Sequence, residues 1–85
     1  MSWELISFVN SSKNRKLILF KLDKPITPTS LAKMVSLHRS VISRSLLGLE
    51  KKGLVKCLNP ESKKERYYKI TNRGLEVRKQ IEKMS

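Results

Sequence analysis

The apolar positions of the chain recur at helical spacing in five blocks. The spacing changes to that of strands only around residues 54–70. Trp3, Ile6 and Val9 share one side of a short helix over 3–9, with Ser2 as its N-cap. Asn10-Ser11-Ser12 breaks the pattern, and Ser12 can cap a second helix over 13–22. Leu17, Ile18, Leu19, Phe20 and Leu22 are dense enough to bury most of that helix. Asp23-Lys24-Pro25 ends it. Thr27-Pro28 then starts another, with a Thr N-cap followed by Pro at the first position, where the missing N–H is harmless. This helix, 28–35, turns Leu31, Ala32 and Val35 inward. Ser36-Leu37 is a tight turn, and a longer helix follows over 38–52, stopped by Gly53.

Residues 54–58 are β-prone, Asn59-Pro60-Glu61-Ser62 is a turn cluster, and Lys63-Lys64-Glu65-Arg66 is a charged run. In 67–70, Tyr68 and Ile70 take one face, and Tyr67 and Lys69 the other. The hairpin 54–70 therefore has a long charged tip. Thr71 caps a last helix, 72–84, whose stripe reads Leu75, Val77, Arg78, Ile81 and Met84. The expected fold is mainly α with a small β-hairpin. Three helices form the core, with the hairpin and extra N- and C-terminal helices around them, in a single domain over 1–85.

The helix 38–52 is divided between two tasks. With Ile42 as reference and about 100° per residue, Leu46 and Leu49 fall within about 40° of it, and Ser45 and His38 within about 60°. That is the stripe expected to face the core. Ser40, Arg44, Leu47 and Lys51 fall on the opposite side, with Arg39 and Ser43 on its flank. Arginine can fork to guanine edges, and serine can bond a base or a phosphate. A short helix, a tight turn and a longer helix with such a face make a helix-turn-helix, whose second helix enters the major groove of DNA.

Charge strengthens that expectation. Nineteen Lys and Arg against seven Asp and Glu give a net charge of +12 and a pI near 10.3, which attracts polyanions whatever the fold. Lys13, Arg15 and Lys16 stand in the first turn of their helix, where the dipole disfavours cations and a phosphate would offset them. No apolar run reaches the roughly 20 residues of a membrane span. Glu4 inside the first apolar block argues against a signal peptide. Cys57 is the one cysteine, so no internal disulfide forms, and a lone thiol points to an intracellular protein. One His, one Cys and scattered carboxylates offer no paired acids, metal spacing or phosphate loop. The chain is therefore not expected to be an enzyme, and no cofactor, metal or small-molecule ligand is expected.

Four segments, in order, resemble the winged helix-turn-helix of MarR-like and ArsR-like transcription regulators. They are T-P-T-S-L-A-K from Thr27, S-V-I-S-R-S-L-L-G-L-E-K-K-G-L-V from Ser40, N-P-E-S-K-K-E-R from Asn59, and I-T-N-R-G from Ile70. The resemblance implies base contacts by Arg39, Ser40, Ser43 and Arg44 and wing contacts to the DNA backbone by Lys63, Lys64 and Arg66. It also fits backbone contacts at Lys13, Arg15 and Lys16. Two positions depart from the pattern. His38 stands where Ser or Thr usually caps the recognition helix, so His38 or Ser36 must take that part. Gly48 sits inside the helix at a cost of about 1 kcal/mol relative to Ala. A close approach by a partner or DNA, or simple drift, would each account for it.

The function these residues lead one to expect is sequence-preferring binding of double-stranded DNA by a repressor-like transcription regulator in the cytoplasm, associated with the nucleoid. Its rivals are a winged helix that docks protein in a larger complex, towards which Leu47 leans, and an architectural or RNA-binding basic protein. Apolar residues at both ends (Trp3, Leu5, Ile6, Phe8 and Val9, then Leu75, Val77, Ile81 and Met84) exceed what one helix face can bury and lead one to expect a homodimer through the terminal helices; the alternative is a monomer whose terminal helices pack on each other.

Overall fold

The computed structural model describes residues 3–84. Five helices and one antiparallel hairpin follow in the order α1 (Trp3–Asn10), α2 (Lys13–Lys21), α3 (Pro28–Val35), α4 (Arg39–Lys51), β1 (Val55–Cys57), β2 (Tyr68–Ile70) and α5 (Asn72–Met84). The expected mainly helical fold with a small hairpin is the one observed. Three helix starts follow from single hydroxyl residues. Ser12 Oγ accepts from Arg15 N at 3.3 Å, Thr27 Oγ1 from Ser30 N at 3.2 Å, and Thr71 Oγ1 from Gly74 N at 3.1 Å. Ser2, expected to cap α1, lies outside the described residues.

The core is formed by Ile6 and Val9 of α1, Ile18, Leu19 and Leu22 of the α2 region, Leu31 and Ala32 of α3, and Ile42, Leu46 and Leu49 of α4. Leu54, Val55 and Ile70 close it from the hairpin, and Val77 and Ile81 from α5. The stripe of α5 differs from its expected form. Leu75 and Met84 are exposed, and Gly74 is buried with Val77 and Ile81. The reason is a contact no periodicity reveals: a Cβ on Gly74 would stand 2.2 Å from the Leu54 carbonyl oxygen. The helix presses its first turn on the chain leaving α4, and this rotates Leu75 outward.

α4 ends as its sequence dictates. Gly53, at φ +75°, gives its amide to the Glu50 carbonyl at 2.9 Å, and the Leu54 amide reaches the Leu49 carbonyl at 3.0 Å. This pair of bonds turns the chain sharply into β1. Val55 pairs with Ile70, Lys56 with Lys69 and Cys57 with Tyr68. The hairpin gains a third partner that the sequence did not announce. The Ile26 amide and carbonyl bond the Tyr68 carbonyl and amide at 3.1 and 2.9 Å, and the Ile70 amide reaches the Leu22 carbonyl.

Candidate nucleic-acid interface

The segment after α3 sets the direction of α4. Ser36 adopts the left-handed conformation (φ 55°, ψ 45°) and gives its amide to the Ala32 carbonyl, so it ends α3. It does not cap α4. His38 occupies the cap position, and its side chain makes no capping bond. His38 is also exposed, against its expected place in the buried stripe. It precedes the helix with extended backbone (φ −64°, ψ 145°), so helical spacing does not carry its side chain to the core. The other expectations for the stripe stand: Ile42, Leu46 and Leu49 are buried and Ser45 is half-buried.

The outward side of α4 exposes Arg39, Ser40, Ser43, Arg44, Leu47 and Lys51. Beside it runs an open groove of about 460 Å³ between α4 and the start of α2. It brings Asn14 and Arg15 next to Arg44, Leu47 and Lys51. Lys13, exposed, and Lys16, half-buried, do not line this groove; they flank Leu17 and Phe20 elsewhere on α2. Arg15 is turned inward: its guanidinium donates to the Phe8 carbonyl at 2.8 Å and stacks on the Phe8 ring, 4.1 Å from its centroid. Phe8 in turn meets the glycine of α4. A Cβ on Gly48 would lie 3.4 Å from Phe8 Cζ, and the Lys52 ammonium sits 5.5 Å from the ring centroid. The close approach at Gly48 is thus made by α1 of the same chain.

The hairpin tip is ordered by one side chain. Asn59 Oδ1 accepts from the Tyr67 amide at 2.8 Å, and Asn59 Nδ2 donates to the Glu65 carbonyl at 2.8 Å. Arg66 folds back on the Ser62 carbonyl at 3.0 Å, whereas Lys63 and Lys64 stand free in solvent. A further basic cluster went unnoticed in the sequence. Lys56 and Lys69 are cross-strand partners on the outer face of the hairpin, and Arg73 joins them along a shallow groove at the start of α5. The signal was present in the alternation of Lys69 with Tyr68 and Ile70, but it needed the register to bring Lys56 opposite.

Electrostatics make these cations conspicuous. Among the described residues the side-chain ion pairs join Arg78 to Asp23 and to Glu82. Arg78 also lies over the Phe20 ring, 5.3 Å from its centroid, and so ties α5 to α2. Among the described residues no other lysine or arginine has a carboxylate partner. No group of His, Cys, Asp or Glu among the described residues could hold a metal ion, and no described helix is long and apolar enough to cross a membrane.

The helix-turn-helix with its flanking hairpin superposes on solved structures at high coverage. The fold is that of the MarR-type winged-helix regulators. MarR itself matches with a TM-score of 0.78 at 23% identity, over 92% of this chain and 59% of that one. S. aureus MepR in complex with DNA matches at 0.77 and 15% identity, over 94% and 68%. The PcaV transcriptional regulator of Streptomyces coelicolor, with its natural ligand, matches at 0.72 and 20% identity, over 88% and 58%. The winged-helix chain thus spans about three fifths of the length of MarR and PcaV. No family model matches the sequence, and no curated protein matches it.

Proposed function

We propose that this winged-helix chain binds double-stranded DNA with sequence preference and regulates transcription by occupying promoter sites. One observation carries the reading: α4 holds its apolar side in the core and offers Arg39, Ser40, Ser43 and Arg44 to solvent, with no carboxylate partner among the described residues. An unpaired arginine beside small hydroxyls is suited to the donor and acceptor pattern of major-groove base edges. Lys63 and Lys64 at the wing tip, with Arg66 at its base, take the DNA backbone. Lys13 and Lys16 do the same at the start of α2, while Arg15 adds charge there and braces Phe8. Phosphate contacts of this kind position the protein and do not specify sequence. That MepR has been solved with DNA supports the same reading.

Two copies act together in this proposal. A single recognition helix makes too few base contacts to separate one site from a genome of competitors. A pair related by a two-fold axis reads half-sites about one helical turn apart. The exposed Trp3, Leu75 and Met84 of the terminal helices are the surfaces available for pairing. The test is selection from random duplex DNA, followed by binding measurements on the selected site. Arg39→Ala and Arg44→Ala are each expected to cost about 1–3 kcal/mol and to relax the preference at one base position. Parental affinity in both variants overturns the assignment of this face.

A further inference from the structure

Leu47 fits neither the core nor the hydrogen-bonding face. The apolar contacts of α4 to the core are made by Ile42, Leu46 and Leu49, and Leu47 is 54% exposed. It lies one turn beyond Ser43 and Arg44 on the outward side, at the edge of the groove that also holds Val41 and Lys51. Of the large exposed hydrophobics among the described residues, it is the one on the recognition helix. Folding does not require a leucine there.

The surroundings decide what covers it. An apolar protein surface closing over Leu47 would also desolvate Arg44 and Lys51, neither of which has a carboxylate partner among the described residues. A DNA major groove supplies the opposite charge to both cations and, at each A·T pair, one apolar group, the thymine 5-methyl. The spacing is compatible. Three residues advance a helix by about 4.5 Å, and successive base pairs are about 3.4 Å apart. With Arg44 at a guanine, Leu47 reaches a base one or two pairs away.

We infer that Leu47 packs on a thymine 5-methyl group and makes thymine the preferred base one or two pairs from the one read by Arg44. This deepens the proposed function and rests on it. The experiment begins with the selected duplex and replaces each thymine in turn by deoxyuridine, which removes the methyl and leaves every hydrogen-bonding group in place. At one position the parent is expected to lose about fourfold in affinity, the effect of burying one methyl-sized group. Leu47→Ala is expected to bind the thymine duplex more weakly by a similar or larger factor and to be indifferent to the uracil exchange. Its thermal midpoint, read alongside, reports any change in folding. The inference is overturned by a parent insensitive to uracil at every position, by a selected site without thymine near the Arg44 contact, or by a Leu47→Ala variant that keeps the full methyl effect. In all three cases sequence-preferring binding, and so the proposed function, stands. Selection that yields no preferred sequence removes both.

Discussion

Replacing Gly74 by alanine adds one methyl group at the tightest junction of the fold. Its Cβ would lie 2.2 Å from the Leu54 carbonyl oxygen and 2.6 Å from Ile70 Cγ1. Both neighbours are fixed. The Leu54 oxygen accepts from the Thr71 amide at 3.0 Å, and Ile70 belongs to the core. Relief requires α5 to lift by about 1 Å, which stretches that bond and loosens Thr71, whose hydroxyl also donates to the Gly53 carbonyl at 2.7 Å. Overpacking costs about 1–3 kcal/mol, and a weakened backbone bond about 1 more. The better helix propensity of alanine returns at most about 1 kcal/mol. The net expectation is a loss of about 2–3 kcal/mol. An 85-residue domain has roughly 4–13 kcal/mol in total. Urea unfolding followed by far-ultraviolet circular dichroism, at one fixed protein concentration, reads the loss directly. The thermal midpoint is expected to fall by about 10–20 °C. Trp3 is a poor probe because it is 71% exposed. An unchanged midpoint would mean that α5 does not approach Leu54 as described, and the account of the rotated α5 stripe would fall with it.

Gly48→Ala is the complementary substitution: its Cβ meets Phe8 at an ordinary 3.4 Å, so the variant is expected to be up to about 1 kcal/mol more stable in the same assay. A marked loss there would show that Phe8 cannot yield even slightly. Lys63→Ala with Lys64→Ala is expected to flatten the slope of log K against log salt by roughly one to two units and to weaken all sequences alike. An unchanged slope moves the wing tip off the backbone. Light scattering at micromolar concentration is expected to give twice the 9.9 kDa of one chain, and a monomer on a site without two-fold symmetry overturns the pairing.

Local signals made much of the fold legible in the sequence. The caps at Ser12, Thr27 and Thr71 act within three residues, so the chain itself marks where α2, α3 and α5 begin. The Gly53 stop and the alternation in the hairpin are local in the same sense. What stayed hidden depends on distant partners. Ile26 is a single bridging residue without any periodic signature. The burial of Gly74 and the exposure of Leu75 follow from a carbonyl twenty residues earlier. Helical spacing misplaced His38 because it stands before the first turn. The exposed side of α4 was readable, since outward positions on an amphipathic helix follow from the buried ones. The inward turn of Arg15 was not, because its partner Phe8 belongs to another helix.

The bridge between Ile26 and Tyr68 bears on how copies behave when crowded. A protein with a net charge of +12 accumulates along a polyanion, and neighbouring copies meet at local concentrations far above bulk. An open sheet edge under those conditions is a template for strand pairing and aggregation. Here the outer edge of β2 is closed: Tyr68 gives both backbone groups to Ile26, and the Ile70 amide is held by Leu22. The remaining edge, β1, is three residues long and carries the exposed Lys56 at its centre, too short and too charged to recruit a strand from a neighbour.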